Sequence, residues 1–221
     1  MSAAALIAQL RAQRSPRDIE GQRRFGITPR GEHLGVRTET LRALAKPHRR
    51  DHPLALALWA SGIFEARTLA FLIDDPKQVT VAQMEAWAAD FDNWATVDGC
   101  CIHLFRKTPF ARAQADAWSQ RPEEYIKRAG FTLMATLAVH AKDFPDAVFL
   151  DWLPVIARAA DDERNFVKKA VNWALRQIGK RNPALRRAAL ATARELVKRD
   201  SRAARWIARD AIRELQAHAN K

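Results

Sequence analysis

Apolar positions along the chain recur at helical spacing. Leu6, Ile7 and Leu10 share one side of a stretch from Ala3 to Arg14, and Leu41, Leu44 and Ala45 repeat that rhythm after Thr38. Leu54, Leu58 and Trp59 follow Pro53, and Phe64, Ala70, Phe71 and Leu72 face inward between Ile63 and Ile73. Breakers separate these runs: the loop from Ile27 to Val36 with Pro29, Gly31 and Gly35, then Pro47, Ser61-Gly62 and Asp74-Asp75-Pro76. Start signals are as regular. Pro16, Thr38, Thr108-Pro109, Pro122, Pro145, Asp162, Asn182-Pro183 and Asp200-Ser201 each precede an apolar run, and Thr80 with Gln83 reads as a capping box.

This pattern predicts about a dozen helices, short connections and no strand. Helices joined by tight turns pack as antiparallel pairs. A succession of pairs of about 40 residues each predicts HEAT-like repeats. The expected fold is therefore all-α: a HEAT-like α-solenoid of antiparallel helix pairs with a concave, basic groove. A compact irregular bundle is the alternative. No linker divides the chain, so residues 1–221 read as a single domain.

Composition narrows the partners. With 37 Lys and Arg against 25 Asp and Glu, the formal charge is +12, and the isoelectric point is near 10.5. A helical protein this basic expects a polyanion, with nucleic acid first and an anionic membrane surface second. No run approaches the length of a membrane span. Met1 to Leu10 lacks a basic leader and does not read as a signal peptide. The only cysteines, Cys100 and Cys101, are neighbours and poorly placed for a disulfide. These features predict a reduced, cytoplasmic protein. The six His and two Cys have no zinc spacing. His48 and His52 read as solvated loop residues, and no metal or cofactor is implied.

Two stretches carry candidate chemistry. In Phe91 to Phe105, a helix sets Trp94 and Asp98 one turn apart on one face, with Cys101 and Phe105 continuing it. Asp92 or Asn93 is placed to cap that helix, whereas Asp98 lies too deep. A carboxylate at the margin of an apolar stripe needs a partner or a solvated groove. It either pairs with an Arg to fix packing or serves a site. In Arg164 to Lys180, about 100° per residue places Val167, Ala170, Val171, Ala174, Leu175 and Ile178 on one arc. Lys169, Trp173, Arg176 and Lys180 fall on the opposite arc. An aromatic among cations suits phosphate and base contact. It equally suits an indole packed on the next repeat beside snorkelling cations. A further basic run comprises Arg186, Arg187, Arg194, Lys198, Arg199, Arg202, Arg205 and Arg209. Such runs are usually solvated faces. Arg128 lies off the stripe of Ile126, Ala129, Leu133 and Leu137, where it could meet a phosphate or a carboxylate such as Asp98.

The chain resembles the bacterial DNA alkylation repair proteins, the AlkD-like HEAT-repeat DNA glycosylases. The matching pieces are Gly31-Glu32-His33-Leu34-Gly35-Val36-Arg37, Leu41 to Lys46, Leu58-Trp59, Glu65-Ala66-Arg67, Trp94 to Asp98, Tyr125 to Arg128 and Phe166 to Arg176. The resemblance implies excision of N3- and N7-alkylated purines from double-stranded DNA by a monomer, without base flipping. It further implies that Trp94, Asp98 and Trp173 carry the catalytic chemistry while Arg128 holds a phosphate. Two positions depart from the family pattern. Ala95 stands where the family commonly has Asp, and Tyr125 stands where Trp is common.

Overall fold

A computed structural model of the chain describes residues 1–219. Asn220 and Lys221, the last positions of the expected domain, lie outside the described residues. Thirteen α-helices and no strand are found among the described residues. The helices gather into two compact units, Met1–Phe110 and Ala111–Lys221.

The first unit holds α1 (Ala3–Ala12), α2 (Pro16–Arg24), α3 (Thr38–Ala45), α4 (His52–Ala60), α5 (Phe64–Ile73), α6 (Val81–Ala89) and α7 (Trp94–His103). α5 packs on α4 and also against α3 and α7, so α3, α5 and α7 form one layer. α4 and α6 meet through Trp59 and Trp87, whose rings stack 4.0 Å apart at 2°. Arg67 closes that cluster. Its guanidinium lies 5.0 Å from the Trp59 ring and pairs with Asp90 at 3.0 Å.

The second unit holds α8 (Ala111–Ser119), α9 (Glu124–His140), α10 (Asp146–Ala159), α11 (Asn165–Lys180), α12 (Pro183–Val197) and α13 (Arg202–Ala219). The pairs α8/α9, α10/α11 and α12/α13 each pack together; α11 also packs on α9 and α13, and α10 on α12. Two layers result, α9–α11–α13 and α10–α12. This is the HEAT-like arrangement that the helix rhythm predicts. Trp118, Phe131, Trp152, Val171, Leu175 and Ile178 are buried in it, each contributing about 1.5–3 kcal/mol of apolar burial.

Polar residues set many of the starts. Ser15 Oγ accepts from the Asp18 N–H, Asp51 from Leu54 and Asn182 from Leu185. Thr80 accepts from Gln83, but Gln83 Nε2 turns to Asp74 instead of completing a capping box. Some starts differ from the sequence expectation. Thr38 is the first helical residue behind Arg37, which makes no side-chain cap. Thr108 donates its hydroxyl to the Phe105 carbonyl, and α8 begins only at Ala111. His52 is no solvated loop residue: it opens α4 with Nδ1 2.7 Å from Asp74.

The loop before α3 is held from inside. Glu65, fully buried on α5, accepts from the N–H groups of Leu34 (3.0 Å) and Gly35 (2.6 Å). Gly35 sits at φ +73°, and a Cβ there would lie 2.5 Å from the Ser15 carbonyl oxygen. Only glycine meets both demands.

Candidate nucleic-acid interface

α7 begins at an Asn93 cap, whose side-chain oxygen accepts from Ala95 (3.1 Å) and Thr96 (3.0 Å). Asp92 instead accepts from the Arg30 N–H at 2.7 Å and ties down the preceding loop. Along α7, Thr96, Val97, Cys100 and Cys101 are buried, while Trp94, Ala95, Asp98, Gly99, Ile102 and His103 are half-buried. Trp94 and Asp98 therefore stand on the boundary between core and surface, one turn apart. Cys101 and Phe105 do not extend that surface; both are fully buried. Neither cysteine is in a disulfide among the described residues.

The Trp94 indole N–H donates to the Phe25 carbonyl at 3.0 Å. Its ring borders two hollows. One, of about 270 Å³, is lined by Val36, Leu41, Arg42, Phe71, Gly99 and His103 among others. The other, of about 420 Å³, is lined by Asp18, Gln22, Phe25, Arg37 and Glu39 among others. Gly99 brings α7 close to α5, since a Cβ there would lie 2.3 Å from the Phe71 ring. Burial holds the His103 imidazole below its ordinary pKa, and Lys107, Arg42 and Arg106 add repulsion. At neutral pH His103 is thus uncharged, stacked 6.0 Å from Phe71. Phe25, Arg42 and His103 were not singled out by sequence. Phe25, just past the end of α2, and Arg42, on α3, lie far along the chain from Trp94, and only packing brings them to it; His103 closes the same helix as Trp94.

In the second unit, Arg128 on α9 is 6% exposed, and its Nη1 donates to the Phe166 carbonyl at 2.7 Å. It therefore anchors the first turn of α11. Lys169 is exposed on α11 and Trp173 is half-buried. Arg176 and Lys180 lie on the expected arc, but α13 lies against it. Both pair with Glu214, and Arg176 also lies 3.5 Å from Asp210. Asp210 accepts from Asn172 Nδ2 at 2.7 Å. Burial raises the Glu214 carboxyl, but hydrogen bonds from Lys180 and Arg176 outweigh it and leave the pKa lowered. These α13 carboxylates went unrecognised by sequence. Their signal is the i, i+4 acid pair, Asp210 and Glu214, facing the i, i+4 cations Arg176 and Lys180. Asp162, before α11, pairs with Lys127 (3.1 Å) and Arg164 (2.6 Å).

Among the described residues no helix is long and apolar enough to cross a membrane. Two layers of stacked antiparallel pairs define a HEAT-like helical repeat protein. The chain belongs to the DNA alkylation repair enzyme family, whose model matches residues 6–215. Its fold is similar to a solved structure described as a new family of proteins related to the HEAT-like repeat DNA glycosylases with affinity for branched DNA structures. That similarity has a TM-score of 0.80 and 21% identity, and covers 96% of this chain and 95% of the other. No curated protein matches.

Proposed function

We propose that this chain is a monofunctional DNA glycosylase. It hydrolyses the N-glycosidic bond of N3- and N7-alkylated purines in duplex DNA without turning the base out, acting as a cytoplasmic monomer. The observation that carries the reading is the placement of Trp94 and Asp98 one turn apart at the half-open margin of α7. Membership of the repair family supports it.

Alkylation at N3 or N7 leaves a positive purine, which is a good leaving group. As the bond from C1′ to the base nitrogen breaks, its electron pair neutralises the purine and the deoxyribose gains oxocarbenium character. Water adds its oxygen to C1′ and gives up a proton to the surrounding solvent. Asp98 stabilises the developing sugar charge more than the ground state and orients the water, which lowers the barrier. Trp94 offers an aromatic face to the sugar or cationic base, worth about 0.5–2 kcal/mol. In the second unit Trp173 and exposed Lys169 contact the DNA, and Arg128 holds the start of their helix. Arg176 and Lys180 contribute charge already balanced in part by Glu214.

The test is incubation with methylated duplex DNA and assay of free 7-methylguanine and 3-methyladenine. Release by wild type, lost in Asp98→Asn with duplex binding retained, supports the reading. Ala95, where the family commonly carries Asp, favours a second one: a HEAT-repeat DNA-binding protein without catalysis. Wild type that binds DNA and releases neither base decides for it.

A further inference from the structure

The last helix presents three faces of different character. Ala203, Ala204, Ile207, Ala208, Ala211 and Leu215 are fully buried. Asp210 and Glu214 turn to the cations of α11. Arg202, Trp206, Arg209 and Arg213 are exposed; at about 100° per residue they fall within one narrow stripe, roughly 16 Å long. The only two acids of α13 turn to α11, and of the two only Asp210, at the edge of the stripe, also pairs with one of its cations, Arg213.

Trp206 is 41% exposed, a large aromatic open to solvent in the middle of the stripe. Lys168 Nζ, reaching from α11, lies 5.3 Å from its ring centroid. The ring lines a hollow of about 440 Å³ with Arg202, Arg205, Arg209, Asp210 and Arg213. Arg213 pairs with Asp210, and Arg205 with Asp200 at 3.1 Å. The guanidinium groups of Arg202 and Arg209 make no hydrogen bond or ion pair among the described residues. A plain solvated basic face does not need an indole at its centre, and a membrane-surface helix needs an apolar stripe. Here the apolar stripe is buried and a single aromatic remains outside.

We propose that the Arg202–Trp206–Arg209–Arg213 stripe of α13 is a contact surface for unpaired nucleotides of DNA. A base stacks on Trp206, and the guanidinium groups hold the phosphates to either side. A base exposes its π-face only where it is unpaired, as in a single strand or at a branch, so the aromatic selects such segments while the cations do not. The inference extends the DNA-repair reading and rests on it.

The test is fluorescence anisotropy with a labelled single strand, a fork and a fully paired duplex at one fixed salt concentration, using the full chain. Trp206→Ala is expected to weaken single-strand and fork binding about tenfold or more, the loss of one stacked base, and duplex binding less than twofold. Trp206→Phe should keep most of the affinity, because a ring remains. Arg202→Ala with Arg209→Ala should weaken all three DNAs and flatten the salt dependence. Far-UV circular dichroism and Tm check that the exposed substitutions leave the fold intact. Single-strand and fork binding unchanged in Trp206→Ala overturns the inference, as does an equal loss for duplex. So does wild-type binding to phosphatidylglycerol vesicles that Trp206→Ala abolishes while DNA binding is unaffected. Wild type that binds no DNA of any form overturns the repair reading as well, whereas excision and binding that are normal in Trp206→Ala overturn this inference alone.

Discussion

The open margin of α7 and the basic arc of α11 look alike in sequence and differ in structure. Each carries a Trp and a charged residue within a turn or so. On α7 the neighbouring positions are Ala95 and Gly99, small residues that leave Trp94 bordering two hollows. On α11 the lower half of the arc is met by α13, and Arg176 and Lys180 are ion-paired with Glu214. A helical wheel identifies the arc that is not core. It does not say whether water, DNA or a later helix covers that arc. The lesson is that a one-sign stripe must be read against the acids of the element that packs next to it.

The largest effect expected on this comparison is catalytic. If chemistry resides on α7, Asp98→Asn should lower excision of 7-methylguanine by about 10²–10³-fold, the range for removing one preorganised electrostatic group. Duplex affinity should change little. Measured single-turnover rates that fall for Lys169→Ala as steeply as for Asp98→Asn would break the distinction between the two faces.

The loops that frame the two faces are held by different chemistry. Burial raises the Glu65 carboxyl above its ordinary pKa, against hydrogen bonds from Leu34, Gly35 and Val36. Glu65→Ala should cost about 3 kcal/mol in denaturant unfolding, because buried N–H groups lose their acceptor. Glu65→Gln keeps an acceptor oxygen and should cost less. Asp162 behaves in the opposite sense. Burial pushes it up, but Arg164 and Lys127 together hold its pKa down at about 2, from an ordinary 3.8. A depressed carboxyl stabilises the fold above the unfolded pKa and loses that contribution as pH falls through the folded one. About 2 kcal/mol should therefore be present at pH 5 and vanish between pH 4 and pH 2. Asp162→Asn should remove that segment of the stability–pH curve, leaving the rest of the acid limb.

Much of the fold was legible because it is written locally. Caps at Thr80, Asn93 and Asn182 and the apolar periodicity locate most helices without reference to any contact. The rhythm of pairs beginning at Ala111, Asp146 and Pro183 carries the repeat architecture. Thr108-Pro109 misled because the threonine hydroxyl found a carbonyl of the preceding turn, Phe105, before it could cap a helix. At the candidate site, Trp94 and Asp98 were legible as a pair because one helix carries both. Their surroundings were not, since Phe25 and Arg42 arrive from other parts of the chain. Several of the pieces that carry the family resemblance are architectural. Glu65 and Gly35 hold a loop, and Trp59 and Arg67 close a cluster with Trp87 and Asp90. A motif of that kind reports the fold faithfully and says little about catalysis.

The smallest effect tests whether the lower arc of α11 retains any role in binding. Glu214 balances two cations, so Glu214→Gln leaves Arg176 and Lys180 with one counter-charge fewer. Asp210 remains 3.5 Å from Arg176, which limits the loss of stability to roughly 1 kcal/mol for these part-exposed groups. If the freed cations reach phosphate, duplex affinity should rise a few-fold and the slope of log K against log salt should steepen by about one. If α13 keeps DNA away from that arc, affinity and slope should match wild type while Tm falls slightly. Salt titrations of both proteins on one duplex separate the outcomes. An unchanged slope would confine the DNA contacts of α11 to Lys169 and Trp173, upstream of the arc that α13 covers.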